Sequence, residues 1–185
     1  VSAKKIIRLE DFTFSRLTAD FDLTKFSSKE KMIDEFLVED AINYQNQNFG
    51  NTYLFHDTQI NIAAYFCISN DCLNDKGYEN NTWNRFHRKQ AVPNEKRIKQ
   101  YPAIKIGRLG VDVAYQGTGL AYELMDFIKG FSITGLKPAC RLLLLDAINK
   151  PRQLQYYDRN EFRFLLSTDE KDENRIMYFD LKKLQ

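Results

Sequence analysis

The stretch Gln116-Gly117-Thr118-Gly119-Leu120-Ala121 decides the fold. Ahead of it, Ile104 to Val113 is apolar, follows Pro102, and reads as a long central strand. Behind it, Leu120, Leu124, Ile128 and Phe131 recur at helical spacing, so a helix opens near Gly119. A strand therefore turns sharply into a helix at two glycines, which put no Cβ in the way of a tight turn or of a ligand. The first amides of such a helix lack internal acceptors and sit at the positive end of its dipole. A diphosphate is the natural occupant, and Ala121 is small enough to let the helix start pack closely. The glycines alone fit equally well a turn shaped only for packing. Two nucleotide loops are excluded. No Gly-Lys-Ser or Gly-Lys-Thr follows Gly119, as the Walker loop requires. The dinucleotide fingerprint needs three glycines near the first strand of a βαβ unit, whereas this turn lies past mid-chain.

Around this junction the chain alternates strand and helix. Phe12 to Leu17 reads as a first strand, and Ser27 and Glu30 have capping-box spacing for a helix to about Gln47. On that helix Ile33, Phe36, Leu37, Ala41 and Tyr44 share one face. Asn51 to His56 and Asn61 to Ile68 form an antiparallel hairpin across a turn at Asp57 to Ile60. A polar, basic, partly helical segment at about 71–100 reads as an insertion over the sheet. After the glycine turn and its helix, Leu142-Leu143-Leu144-Leu145 lies in a strand over 141–146 buried on both faces. A short helix over 151–159 and strands at 162–166 and 175–181 complete the chain. The order predicts a mixed α/β sheet with a parallel crossover near its middle, in one domain over residues 1–185.

Composition sets the class. The 185 residues are 43% hydrophobic and 28% charged, as in a folded globular domain. No run approaches a membrane span of about 18 apolar residues, and the segment Val1 to Glu10 lacks a secretory layout, so the expected location is the cytoplasm and no membrane partner is expected. Cys67, Cys72 and Cys140 suit neither a disulfide framework nor, with only His56 and His87 available, a zinc site; no metal is expected. The net charge is only +2, but Arg85, Arg88, Lys89, Lys96, Arg97 and Lys99 cluster against the single acid Glu95. Such a cluster reads first as a solvated face.

Gln116 to Ala121, preceded by Leu109-Gly110-Val111-Asp112-Val113, resembles the Gln/Arg-x-x-Gly-x-Gly/Ala signature of the GNAT superfamily of N-acetyltransferases. Asp146-Ala147-Ile148-Asn149 followed by Tyr156-Tyr157-Asp158-Arg159-Asn160-Glu161-Phe162 resembles that family's second landmark. One departure is Glu161, where the family has glycine; the backbone there is expected to avoid a conformation open only to glycine. The resemblance implies a mostly antiparallel central sheet with a splayed parallel strand pair and flanking helices, the acyl-CoA N-acyltransferase fold. It also implies acetyl-CoA as cofactor. Backbone groups of Leu109, Val111 and Val113 would bond the pantetheine arm, and the amides of Gln116, Gly117, Thr118, Gly119, Leu120 and Ala121 would hold the pyrophosphate. Asn149 would support the arm, and Tyr157 would be the general acid that protonates the leaving thiolate. Tyr157 has a plain alternative as a packed core tyrosine.

The reaction so implied is direct attack of a primary amine on the thioester. The strand from Ile104 to Val113 offers Asp112 as its only acid, near the cofactor end, so no good general base is evident. An α-amine, with a pKa of about 7.7–8.0 against about 10.4 for lysine, needs little help from one. A narrower resemblance agrees. Phe21-Asp22-Leu23, Met32 to Leu37 with Ala41, and Arg108 to Asp112 leading into Gln116 resemble the GNAT toxins of bacterial toxin–antitoxin pairs. Members of that group acetylate the α-amine of aminoacyl-tRNA and are neutralised by a small DNA-binding antitoxin. On that resemblance Arg85, Arg88, Lys89 and Arg97, with Lys105 and Arg108, would meet tRNA phosphates. A small amine or a protein N-terminus as acceptor, a non-catalytic acyl-CoA-binding protein, and a homodimer stay open at this stage.

Overall fold

A computed structural model describes residues 7–76, 78–90, 98–136 and 139–185. Its strands follow the order β1-β2-β3-β4-β5-β7-β6, antiparallel in every pairing described except the parallel pair β4–β5. The strands are β1 (Thr13–Arg16), β2 (Asn51–His56), β3 (Ile62–Asn74), β4 (Gln100–Val111), β5 (Leu142–Ile148), β6 (Arg163–Phe164) and β7 (Asn174–Asp180). The helices are α1 (Lys31–Glu35), α2 (Ala41–Asn46), α3 (Asn80–Lys89), α4 (Leu120–Thr134) and α5 (Pro151–Arg159). By its contacts the chain divides into two compact units, Val1–Ser69 with Ile106–Ile128, and Asn70–Lys105 with Lys129–Gln185.

In the first unit β1, β2 and the first half of β3 pair antiparallel, with Tyr53 opposite Arg16 and Phe66. Leu17, Phe26, Phe36, Leu37, Ala41, Leu54, Ile62, Tyr65 and Cys67 form its core. The capping box expected at Ser27 and Glu30 is not formed. Lys29 adopts a left-handed φ of 66°, so the helix cannot start before it and α1 opens at Lys31. Ser28 instead donates its hydroxyl to Asp34 at 2.6 Å. Between α1 and α2 the chain makes a π-helical segment, Phe36–Asp40. Its wider turn shifts every later residue around the axis. Tyr44, expected on the buried face with Ile33, Phe36, Leu37 and Ala41, is therefore 40% exposed.

Gly110 of β4 lies under this helix. A Cβ there would meet Ile33 Cγ2 and Tyr65 Cε1, each at 2.8 Å. The Tyr65 ring cannot easily yield, because its hydroxyl donates to the Ile33 carbonyl at 2.7 Å. Gly110→Ala is therefore expected to cost about 1–3 kcal/mol of stability, read as a lowered denaturant midpoint.

In the second unit β5 is central. Its parallel register with β4 spans Ala103↔Leu142 to Lys105↔Leu144, and both strands run on past it, β4 to Val111 and β5 to Ile148. On its other side β5 pairs with β7 along its whole length. Leu142 to Leu145 are all buried, as a strand covered on both faces requires. The segment expected as an insertion at about 71–100 starts inside a strand, because β3 continues to Asn74, and the Asp75 amide bonds the Lys99 carbonyl at 3.1 Å. Between them α3 is anchored by Phe86, which joins Leu73, Tyr101, Ala103, Leu142, Leu144, Leu165 and Tyr178 in the unit's core.

The strand expected over 162–166 shortens to Arg163–Phe164, preceded by a closed helix end, whereas the one expected over 175–181 forms as β7. Glu161 sits at that helix end with φ 63°, a left-handed value that favours glycine without being closed to other residues. The reason is a Schellman motif: the Phe162 amide bonds the Tyr157 carbonyl at 3.0 Å and the Glu161 amide bonds the Asp158 carbonyl at 2.8 Å. This motif favours glycine at the position Glu161 holds. A left-handed side-chain-bearing residue costs about 1–2 kcal/mol, and glycine returns about 0.5–1 of that through the unfolded chain. The exposed Lys183–Glu161 pair, at 3.1 Å, offsets little. Glu161→Gly is thus expected to stabilise by about 0.5–1 kcal/mol, measurable by denaturant unfolding.

Candidate active site

The glycine turn belongs to the first unit. β4 ends at Val111, and Asp112 then folds the chain over by accepting the amides of Ser27 and Ala114, each at 2.9 Å, through its two carboxylate oxygens. The only acid expected near the cofactor end of this strand is therefore spent on backbone, and is not placed to act as a base. Gln116 is a second tie: its side-chain nitrogen donates to the carbonyls of Ser28 and Val111, at 2.9 and 3.0 Å. Gly119 caps α4, its carbonyl accepting from the amides of Tyr122 and Glu123 at 2.9 and 3.4 Å.

Gly117 and Gly119 have φ of 76° and 96°, and a Cβ on either would meet no atom within 4 Å. The glycines are thus required by backbone conformation and not by crowding. Thr118 donates its hydroxyl to the Tyr115 carbonyl at 2.7 Å and stands 3.4 Å from the Leu120 amide. The amides of Gly117, Thr118 and Gly119 bond to no described residue. Successive exposed amides with left-handed residues among them form a concave nest for an anion, at the positive end of the fifteen-residue helix α4. This fits a diphosphate.

The strand leading in is also positioned. The Asp112 amide bonds the Ala63 carbonyl of β3 at 2.9 Å. By the two-residue alternation of a strand, Leu109 and Val111 then direct their backbone groups away from β3. The Val111 carbonyl accepts from Gln116, whereas Val113, past the strand end, has its amide engaged by the Ser27 carbonyl at 2.8 Å.

Asn149 and Tyr157 belong to the second unit. Asn149 donates its side-chain amide to the carbonyls of Glu170 and Asp172, at 3.0 and 2.8 Å, so it pins the loop before β7. Tyr157 lies in the last turn of α5, its carbonyl held by the Schellman bond from Phe162. Its ring packs edge-on against Tyr156 and Phe162, with centroids 5.1 and 5.9 Å away. Its hydroxyl bonds to no described residue, and the residue is half-buried. Burial pushes its pKa up to about 12.

The basic residues separate. Arg85, Arg88 and Lys89 are exposed on α3 in the second unit, where Arg85 and Arg88 line an open hollow of about 570 Å³ with Asn81, Asn84 and Ser167. Arg108, in the first unit, is half-buried: its guanidinium lies 5.2 Å over the Phe36 ring and donates to the Gly107 carbonyl at 2.8 Å. Lys105 pairs with Asp146 at 2.6 Å. Arg97 lies outside the described residues. All three cysteines are free thiols, and among the described residues no group of three or more His, Cys, Asp or Glu could hold a metal ion. No helix there is long and apolar enough to cross a membrane. Sequence reasoning missed the latching roles of Asp112, Gln116 and Asn149, because a polar side chain's partner is set by tertiary placement.

A mixed sheet with one parallel pair, and a glycine turn opening the helix between its two strands, defines the acyl-CoA N-acyltransferase fold. No protein-family model matches the sequence, and no curated protein matches it. Solved structures do share the fold. A Tyr-to-Phe mutant of the AtaT toxin, bound to the C-terminus of the antitoxin AtaR and acetyl-CoA, superposes with a TM-score of 0.68 at 19% identity, covering 94% of this chain and 96% of that one. AtaT complexed with acetyl-methionyl-tRNAfMet gives a TM-score of 0.69 at 20% identity, covering 94% and 97%. A Tyr-to-Phe mutant of KacT gives 0.70 at 18% identity, covering 94% and 97%.

Proposed function

We propose that this chain is an acetyl-CoA-dependent N-acetyltransferase that acetylates the α-amine of an aminoacyl-tRNA by direct attack, as a toxin held in check by an antitoxin. The observation that carries the cofactor is the nest of Gly117, Thr118 and Gly119, three exposed amides without a described acceptor at the start of α4. The acceptor rests on the similar AtaT structures, which include complexes with acetyl-methionyl-tRNAfMet, acetyl-CoA and antitoxin AtaR.

Acetyl-CoA, when bound, supplies the thioester and departs as a thiolate. The nest amides hold its pyrophosphate through charge-assisted hydrogen bonds. The outward backbone groups of Leu109 and Val111 bond the pantetheine arm in strand fashion, and Asn149 supports it through the loop that it pins. Tyr157 gives its hydroxyl proton to the leaving sulfur. With its pKa raised to about 12, it stays protonated throughout the working range. Asp112 is spent on two amides, so the acceptor amine sheds its own proton to water, which suits an α-amine far better than lysine. Arg85, Arg88 and Lys89, exposed on α3, meet the tRNA phosphates.

Acetylation rates with charged tRNA, free peptides and polyamines discriminate the acceptors. Charged tRNA is expected to be favoured by at least tenfold in kcat/KM, and a preference for polyamines would remove the tRNA assignment while leaving the cofactor site standing.

A further inference from the structure

A second hollow, of about 120 Å³, lies at the C-terminal end of α3 and is lined by Lys89, Gln90, Glu161, Arg163, Tyr178, Asp180 and Lys183. It has the volume of roughly four waters. Its charges do not cancel. Asp180 is taken by Arg141 in a two-pronged ion pair at 2.6 and 2.9 Å, and Glu161 by Lys183 at 3.1 Å. Lys89 and Arg163 have no carboxylate partner among the described residues. The floor is unusual as well. Gln90 is only 3% exposed, and its side-chain carbonyl oxygen is buried without a hydrogen-bond donor among the described residues. Its backbone is fixed on both sides, the amide bonding the His87 carbonyl at 3.1 Å and the carbonyl accepting from Arg141 at 2.9 Å.

A buried amide oxygen left without a donor costs about 1–3 kcal/mol, so a ligand that brings one is favoured. The two uncompensated cations call for an anion with several acceptor oxygens. A carboxylate meets only the second demand. A protonated phosphoryl group meets both, with oxygens toward Lys89 and Arg163 and a P–OH toward Gln90.

We propose that this hollow is a phosphoryl-binding site, separate from the glycine turn, in which Lys89 and Arg163 take the oxygens and the buried Gln90 carbonyl accepts the phosphoryl hydroxyl. The occupant is inorganic phosphate or a terminal phosphate ester of a nucleotide. The site stands without the acetyltransferase reading, and its test uses no acetyl-CoA.

The test is a ³¹P NMR titration of the full chain with inorganic phosphate near pH 6.5, with sulfate, which lacks a hydroxyl there, as competitor. Saturable broadening is expected, with phosphate bound at least tenfold more tightly than sulfate. Arg163→Gln, at an exposed position, is expected to weaken phosphate at least tenfold. Gln90→Leu is expected to erase the preference over sulfate, and circular dichroism checks that it folds. Displacement by a 5′-nucleotide and not by its nucleoside identifies a phosphate ester as occupant, and failure of both leaves inorganic phosphate. Absence of saturable binding, equal affinity for sulfate in the unmodified chain, or tighter binding of a peptide C-terminal carboxylate than of phosphate would overturn the assignment.

Discussion

Replacing Tyr157 by phenylalanine is expected to lower kcat by about 10²–10⁴-fold, the usual share of a positioned general acid, while leaving acetyl-CoA affinity within a factor of two or so. The substitution removes one oxygen and keeps the ring that packs against Tyr156 and Phe162. Folding should not suffer, because the hydroxyl bonds to no described residue and so leaves no partner stranded. Stopped-assay kinetics together with calorimetric titration separate the two quantities. A variant with unchanged turnover would return Tyr157 to the role of a packed aromatic. The pH profile adds an independent check. Burial raises the Tyr157 pKa to about 12, so the acid form persists upward and gives no falling limb below about pH 10. The rising limb then belongs to the acceptor amine, at about 7.7–8.0 or lower for an α-amine and near 10.4 for lysine. Rate data that climb only above pH 9 would point to a lysine-like acceptor.

The second large effect is expected at Gly119. Its φ of 96° is closed to a β-branched side chain, so Gly119→Val must rotate the backbone and turn at least one amide out of the nest. One lost hydrogen bond to a charged group costs about 1.5–3 kcal/mol, roughly ten- to a hundredfold in affinity. Because a Cβ there meets no protein atom within 4 Å, the loss should appear in acetyl-CoA affinity more than in packing. An unchanged affinity would mean that the turn is shaped only for the chain's own packing.

These two sites show how far the sequence could be read. The turn was legible because glycine carries its meaning locally: two left-handed φ angles at the mouth of a helix follow from residue type. β2 and α5 were equally plain, since their apolar spacing and the Pro151 start are local signals. What sequence reasoning could not supply depends on partners far along the chain. The Ser27–Glu30 capping pattern yields to Ser27 and Ser28 bonding Asp112 and Asp34. A π segment no periodicity announces carries Tyr44 out to solvent. Glu161 takes a left-handed conformation because two Schellman hydrogen bonds at the end of α5 outweigh its strain. The placement of the Arg108 guanidinium over Phe36 likewise follows from no local pattern.

The most direct measurement of the central claim, that Gln116 to Ala121 holds the diphosphate of an acyl-CoA, is a calorimetric titration of the chain with acetyl-CoA beside S-acetylpantetheine, which carries the same thioester and arm without the diphosphate. Saturable acetyl-CoA binding is expected between about 1 μM and 1 mM, with at least a hundredfold weaker binding of the truncated thioester. Equal affinity for the two, or no binding of either, would contradict it.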